Sequence, residues 1–285
     1  MNKISDLHYQ VFKEGSKTYF NSSVFFPKRV RYDVFALYGF VRVADNFVDA
    51  VPQDAEGFYS FRKKYREALS GKESGDPIVD VFLELAGRKG FNPSWTEAFL
   101  ESMEMDITKQ NYNSLDETLK YIYGSAEVIG LYMASILDLP KASYPYAEKL
   151  GRAMQYINFI RDVEEDRELG RRYLPLEQTD LKDLSKREIE KKPESFRSFI
   201  RHHLSYYRGW QMEAEKGYAF IPKRYLIPIK TAADMYNWTG TVIDKYPFIV
   251  FERKVKPSKA RILFRLLGNI FFPGYAPFSP KEEEL

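Results

Sequence analysis

Apolar side chains recur every three to four positions along nearly the whole chain, and no stretch shows a convincing alternation of apolar and polar residues. This spacing is the periodicity of one face of an α-helix. It predicts helices over residues 30–50, 79–89, 114–137, 146–169, 196–220 and 229–245, and a further helix that begins near residue 94. We therefore expect an all-α fold, built as a single domain over residues 1–285 with a partly peripheral basic and aromatic tail at 254–285.

Local signals mark where these helices begin and end. Ser94 with Glu97, and Ser114 with Glu117, have the spacing of a capping box at a helix start. Gly170 is expected to end the helix over 146–169. The segment 222–228 carries a proline at each end and predicts a break between two helices.

Two acidic clusters lie far apart in the sequence but have the same internal spacing. Asp45 and Asp49 form one pair, and Asp162 and Asp166 form the other. Residues four apart share a helix face. Paired carboxylates on facing helices can hold Mg²⁺, which completes its shell with water and phosphate oxygens of a substrate. The spacing therefore predicts a site for a magnesium-bound phosphate compound.

Each acidic pair extends into a longer polar stripe beside an apolar one. The first stripe consists of Tyr38, Arg42, Asp45 and Asp49, and the second of Gln155, Asn158, Asp162 and Asp166. Polar groups inside an otherwise apolar helix are costly to bury unless something satisfies them. A solvated amphipathic face explains either stripe alone, whereas the two together, with Arg42 and Arg161 embedded, favour a binding site.

Composition excludes several other classes of site. The chain has no cysteine and three histidines, which excludes disulfides, thiolate catalysis and cysteine-bound zinc. His202 and His203 are adjacent and are expected on the solvated surface. A net charge of +3 gives no reason to expect a nucleic acid. The polar N-terminus predicts no signal peptide, and no apolar run is long enough for a membrane span. We expect a cytoplasmic protein whose tail, 254–272, can touch a membrane surface.

The chain resembles the squalene and phytoene synthases, which join two prenyl diphosphates head to head, and phytoene synthase most of all. The segments 155–166 and 172–175 are similar to the second aspartate-rich region of that family, and 38–49 is similar to the first. Residues 16–19 resemble its opening serine–aromatic element. Tyr121 stands where the family has a tyrosine before small residues. The family often has Val-Ala-Gly there, and this chain has Ser-Ala-Glu at 125–127, which changes the pocket contacts expected of that helix.

The resemblance implies an isoprenoid synthase helical bundle with a central apolar cavity. It implies a transferase that condenses two prenyl diphosphates through a cyclopropyl diphosphate intermediate. It also implies a dependence on Mg²⁺, with Mn²⁺ as a substitute. The implied metal ligands are Asp45, Asp49, Asn158, Asp162 and Asp166. The other implied catalytic residues are Arg42, Tyr121 and Tyr173. The implied substrate-binding residues are Ser16, Thr18, Tyr19, Ser23, Tyr38, Gln155, Asn158, Arg161 and Tyr236. Arg253, Lys254 and Lys256 either close this site or form a solvated basic face.

The resemblance leaves alternatives for the chain length of the prenyl donor and for the use of NADPH in the last step of the reaction. An aromatic residue tends to stand at the position of Ser23 in C30 dehydrosqualene synthases that resemble this chain. The small serine favours a C20 donor, geranylgeranyl diphosphate, and hence phytoene. Squalene or dehydrosqualene synthesis from farnesyl diphosphate is the alternative, and NADPH would be needed only for squalene. The motifs of head-to-tail elongases and terpene cyclases are missing. A non-catalytic relative acting in assembly is the remaining reading, and the oligomeric state stays open.

Overall fold

The computed structural model of the protein describes residues 26–271, and these form helices joined by short loops. Within that range no β-strand forms, and a single isolated bridge joins Asn111 to Arg172. The predicted all-α class is confirmed. The α-helices, in chain order, are α1 (Lys28–Asp49), α2 (Ala55–Leu69), α3 (Pro77–Lys89), α4 (Pro93–Thr108), α5 (Leu115–Ile122), α6 (Val128–Ile136), α7 (Tyr144–Arg161), α8 (Val163–Glu168), α9 (Lys186–Lys191), α10 (Pro193–Glu215), α11 (Lys223–Lys245) and α12 (Lys259–Phe271).

The described residues group into two compact units. The first contains residues 26–108 and 123–144, and the second contains residues 109–122 and 145–271. The expectation of one domain over 1–285 stays a prediction. Each acidic pair belongs to a different unit, with Asp45 and Asp49 in the first and Asp162 and Asp166 in the second.

Helix α1 is the central helix of the first unit and packs against α2, α3, α4 and α6. Its apolar stripe is buried at Leu37, Ala44 and Val48, as the periodicity predicts. Aromatic rings fill the space around it, and Phe40 stacks on Phe82 with ring centroids 4.0 Å apart. Burial of such rings supplies much of the free energy that holds a helical core together. The polar stripe of α1 lies beside this buried stripe on the helix surface.

A π-helical turn, Tyr123–Glu127, separates α5 from α6 and lies against α4. Gly124 makes this close approach possible, because a Cβ atom there would lie 2.0 Å from the carbonyl oxygen of Ala98. Single π-helical turns often occur at functional sites. The turn includes the Ser-Ala-Glu segment at 125–127, and Glu127 is buried within it.

The second unit contains a buried histidine that the sequence analysis placed on the surface. His203 lies on the inward face of α10 and is 1% exposed. Its Nδ1 accepts a hydrogen bond from the Tyr156 hydroxyl at 2.5 Å, and its Nε2 donates to the Pro175 carbonyl at 3.2 Å. The prediction was wrong because adjacent helical residues point in directions about 100° apart. One of two neighbours can therefore be buried while the other is solvated.

Burial of His203 predicts a loss of stability in acid. Burial lowers the pKa of His203 to about 3, whereas an unfolded histidine titrates near 6.5. Between these values the unfolded state binds the extra proton, so stability is complete above about pH 6.5 and falls as the pH drops. The expected slope is about 1.4 kcal/mol per pH unit. Urea unfolding at several pH values gives the free energy of unfolding as a function of pH. Below about pH 6.5, this free energy should fall less steeply for His203→Gln than for the wild type, by the amount that one proton contributes. Equal slopes would contradict the assignment.

Several helix boundaries differ from the predictions. Helix α11 runs through Pro228, where a break was predicted. Pro228 lies just past the first turn, where a missing N–H deprives only one carbonyl of its partner. Asn92 rather than Ser94 caps α4, since its Oδ1 accepts from the Ser94 amide at 3.0 Å. Ser114 does cap α5, and Glu117 accepts from the Asn113 amide.

Two helices were not predicted at all. Helix α2 begins after Asp54, whose side chain accepts from the Gly57 amide. Helix α12 lies in the segment that was expected to be a peripheral tail. None of the described helices is long and apolar enough to cross a membrane.

Candidate active site

The first acidic pair lies on the last turns of α1, as the spacing predicts. Tyr38, Arg42, Asp45 and Asp49 all belong to this helix, and Asp49 is its final residue. An ion pair joins Arg42 Nη1 to Asp45 Oδ2. Both side chains are about one-third exposed, so the pair is accessible from one side. An arginine and two carboxylates thus lie together at one end of a rigid helix.

Asp45 is in an environment that opposes its ionisation. Burial and the nearby charge of Asp49 raise its pKa to about 6, although Arg42 acts in the opposite direction. Asp106 on α4 contributes a further negative charge, which the sequence analysis missed. Gln53 fixes this neighbourhood by donating to the carbonyls of Val48 and Asp106, at 2.7 and 3.0 Å. A bound cation would relieve the repulsion among these carboxylates.

The second acidic pair lies where α7 passes into α8. The predicted single helix is distorted at Asp162, whose backbone has φ −100° and ψ 18°. The hydrogen-bond ladder nevertheless continues, because the Asp162 amide donates to the Asn158 carbonyl and the Asp166 amide donates to the Asp162 carbonyl, both at 2.8 Å. The four-residue relation between Asp162 and Asp166 is therefore kept across the distortion.

Two cations converge on Asp162. Arg161 donates to both of its carboxylate oxygens, with Nε–Oδ1 at 2.8 Å and Nη2–Oδ2 at 2.5 Å. Lys254 Nζ lies 3.3 Å from Asp162 Oδ1 and also pairs with Glu165. The lysine reaches this point because the 3₁₀ turn before it, Pro247–Phe251, packs on α8. For Lys254, the contact favours the reading in which the basic segment closes the site.

Asp166 is the most perturbed carboxylate of the described residues near this site. Burial, followed by the charges of Asp162 and Glu165, raises its pKa to about 8. The carboxyl group is therefore largely protonated at neutral pH when no cation is bound. A divalent cation would displace that proton, since metal-bound carboxylates are deprotonated.

The donor set of the second unit fits a hard divalent cation. Asn158, Asp162 and Asp166 follow one another at four-residue intervals and present oxygen donors. Asn158 Oδ1 is buried and has no hydrogen-bond partner, which is costly for an amide oxygen unless a ligand satisfies it. Across residues 26–271, no group of three or more acidic or histidine side chains is arranged to hold a metal alone. Mg²⁺ usually takes one or two protein carboxylates and completes its shell with water and substrate phosphates.

An aromatic cluster lies beside Asp166. The Phe159 and Tyr173 rings stack with centroids 4.3 Å apart, and Tyr121 packs on Tyr173 at 5.1 Å. Tyr112 completes the cluster at 5.3 Å from Tyr173. A cavity of about 250 Å³ is lined by Phe159, Tyr173 and Asp166, together with polar and charged residues such as Arg171 and Asp183. The structure thus brings Tyr121 and Tyr173 together, and it adds Phe159 and Tyr112, which the sequence analysis did not single out.

Other predicted residues are placed less centrally. Arg172 holds the chain together, since its guanidinium donates to the Tyr112 and Leu174 carbonyls at 2.9 and 3.0 Å. Gln155 is half-buried on α7, and Tyr236 on α11 is close enough to act electrostatically on Arg161. Four predicted residues lie outside residues 26–271 and have no described position: Ser16, Thr18, Tyr19 and Ser23.

Comparison with known proteins identifies the family and the fold of this chain. The sequence profile of squalene/phytoene synthase matches residues 12–261. The 15-cis-phytoene synthase of Pantoea ananas is 28% identical over 94% of this chain and 93% of its own. The 15-cis-phytoene synthase of Synechocystis is 27% identical over 90% of this chain and 81% of its own. Two solved structures share the fold. A dehydrosqualene synthase in complex with a ligand has a TM-score of 0.81 and 20% identity, and the match covers 95% of this chain and 96% of that one. Squalene synthase HpnC from Alicyclobacillus acidocaldarius has a TM-score of 0.77 and 17% identity, and the match covers 86% of this chain and 94% of that one.

Proposed function

This chain belongs to the squalene/phytoene synthase family, and we propose that it condenses two molecules of geranylgeranyl diphosphate into phytoene. The reaction passes through a cyclopropyl diphosphate and releases two pyrophosphates and two protons. The observation that carries the proposal is the group at the second acidic pair. Asp162 and Asp166 continue the stripe of Asn158, whose amide oxygen is buried without a partner, and Asp166 lines a cavity together with Phe159 and Tyr173.

The carboxylates provide the binding site for the diphosphate end of each substrate. Asp45 and Asp49 would hold one divalent cation, and Asp162 and Asp166 would hold another, with Asn158 supplying its amide oxygen to the second. Bound Mg²⁺ or Mn²⁺ supplies Lewis-acid chemistry at the diphosphate. A bound cation would favour the ionised carboxylates of Asp45 and Asp166, because it offsets the burial and repulsion that raise their pKa values.

The basic residues bind the leaving group. Arg42 and Arg161 are paired with Asp45 and Asp162 in the free protein. With cations on those aspartates, the two guanidinium groups would donate to the diphosphate oxygens, for which their planar shape is suited. Lys254 also contacts Asp162, and we propose that it donates to the diphosphate in the same way as Arg161. These donors stabilise the negative charge that grows as the C–O bond breaks.

The aromatic cluster suits the cationic half of the reaction. Ionisation leaves an allylic cation, and the double bond of the second substrate attacks it before a proton is lost and the cyclopropane closes. Ring faces such as those of Phe159, Tyr121 and Tyr173 attract a cation, and a buried apolar wall keeps water from quenching it. The Tyr121 and Tyr173 hydroxyls are the groups proposed to carry the departing protons.

A product assay tests the proposal directly. Purified protein with Mg²⁺ is given geranylgeranyl or farnesyl diphosphate, each with and without NADPH, and the lipids are identified by mass spectrometry. A C40 hydrocarbon formed without NADPH is expected. A C30 product would instead establish the farnesyl alternative, as squalene if NADPH is needed and as dehydrosqualene if it is not. Absence of both product and pyrophosphate from a folded protein would favour a non-catalytic role.

Ser23 supplies a test of chain length. We propose that its small side chain leaves room for the C20 donor. Ser23→Phe should lower C40 output about tenfold or more while retaining condensation of the shorter farnesyl diphosphate, because the added ring shortens the pocket. The matched control is Ser22→Phe, which adds the same ring one position away. Full C40 output from Ser23→Phe would remove the argument for Ser23.

A further inference from the structure

Helix α12 carries its polar and apolar faces in the reverse of the usual arrangement. Its single buried residue is an asparagine, Asn269. Five large apolar side chains of the same helix are exposed: Leu263, Phe264, Leu267, Ile270 and Phe271. At 3.6 residues per turn these five fall within an arc of about 120°. A helix in water normally turns such a face toward the protein.

Polar contacts to α11 fix this orientation. Asn269 Nδ2 donates to Asp234 Oδ2 at 2.9 Å and to Thr231 Oγ1 at 3.1 Å. Arg265 Nε donates to Asp234 Oδ2 at 2.6 Å, and the Arg261 guanidinium lies 4.7 Å from the centroid of the Trp238 ring. Asp234 is also paired with Lys230, and both are almost fully buried. Rotating α12 to bury its apolar face would take Arg265 and Asn269 away from the buried Asp234 and leave it with Lys230 alone, which is costly for a buried charge.

The surroundings of the exposed face are basic. Between residues 253 and 271 the sequence has six basic residues and no acidic one. Lys256 and Lys259 are exposed at the N-terminal end of the helix. An apolar patch rimmed by positive charge, with two phenylalanines at 73% and 71% exposure, matches a helix that lies in the headgroup layer of an anionic lipid surface.

We propose that the exposed face of α12, comprising Leu263, Phe264, Leu267, Ile270 and Phe271, binds an anionic membrane surface. The apolar side chains enter the boundary between headgroups and acyl chains, while Lys256 and Lys259 contact the negatively charged headgroups. The binding does not depend on the proposed reaction, because it needs neither substrate nor metal.

Vesicle flotation with the full-length protein tests the proposal. The protein should float with vesicles of equimolar phosphatidylcholine and phosphatidylglycerol, and much less with phosphatidylcholine alone. Phe264→Ser/Leu267→Ser should weaken binding about tenfold or more, as expected for two lost apolar anchors. The matched control is Leu69→Ser/Met212→Ser, which removes two side chains of 47% and 64% exposure from elsewhere and should bind normally. Lys256→Glu/Lys259→Glu should weaken binding to the anionic vesicles, and added salt should do the same.

Other occupants of the face give different results, and each would overturn the proposal. Self-association in sedimentation velocity that Phe264→Ser/Leu267→Ser abolishes, without vesicle binding, would make the face an interface between two copies. A melting temperature of that variant well below the Leu69→Ser/Met212→Ser control, again without vesicle binding, would mean that another part of the chain covers the face. Unchanged flotation of Phe264→Ser/Leu267→Ser would assign lipid binding to a different surface.

Discussion

Asp166→Asn is expected to lower kcat by about a thousandfold or more while leaving the folded structure intact. Loss of one carboxylate removes an anionic ligand from the proposed cation site and weakens the charge stabilisation on which ionisation of the diphosphate depends. The folded structure should tolerate the change, because the raised pKa of about 8 already keeps this carboxyl group largely neutral at pH 7. Asparagine has nearly the same shape as the protonated acid.

Two measurements separate lost chemistry from lost folding. Product formation is assayed with saturating Mg²⁺, and thermal unfolding is followed with and without Mg²⁺ plus pyrophosphate. The wild type should be stabilised by that mixture, and Asp166→Asn should not. Glu168→Gln makes the same change at an exposed carboxylate of the same helix and should behave as the wild type. If Asp166→Asn retained more than about a tenth of the wild-type activity, Asp166 would not be a metal ligand.

Arg88→Met is expected to lower the free energy of unfolding by about 3 kcal/mol. Arg88 of α3 holds Asp33 of α1 through two hydrogen bonds, Nη2–Oδ1 at 2.7 Å and Nη1–Oδ2 at 3.1 Å. The Asp33 side chain is 2% exposed. Removal of the arginine would therefore leave a buried carboxylate without its partner, which costs far more than an exposed ion pair contributes.

Urea unfolding of three variants tests this reasoning. Asp33→Asn/Arg88→Met removes the charge as well as its partner, and it should recover at least about 1 kcal/mol of the loss. The control, Arg66→Met, breaks an ion pair to Glu97 whose arginine is 53% exposed, and its cost should stay below about 1 kcal/mol. Equal costs for Arg88→Met and Arg66→Met, with no recovery in the double variant, would show that the Asp33 pair contributes little.

The sequence was most informative where a function depends on spacing within one helix. Tyr38, Arg42, Asp45 and Asp49 share a face of α1 because 3.6 residues make a turn, whatever the helix packs against. The same rule relates Asn158, Asp162 and Asp166, and it survives the distortion at Asp162 because the backbone hydrogen bonds continue. The all-α class follows from the same periodicity.

Contacts between residues distant in sequence carried no such signal. Lys254 pairs with Glu165 across 89 positions, and Asp106 reaches Asp45 through the packing of α4 on α1. Because such contacts leave no local pattern, the sequence left Lys254 either closing the site or on a solvated basic face, and it gave no indication of Asp106. The aromatic rings of Tyr112 and Phe159 were likewise indistinguishable from other core aromatics until Tyr173 was found between them.

By itself, then, the sequence determined the helical class, the order of most helices and the face on which each acidic pair lies, because hydrogen bonds and side-chain directions within a helix are local. Tertiary structure alone decided where burial departs from the local pattern. It placed His203 in the core beside Tyr156 and turned the apolar face of α12 outward. In both cases a polar partner that is distant in sequence, the Pro175 carbonyl or Asp234, satisfies the buried polar side chain, and a local pattern carries no sign of such a partner.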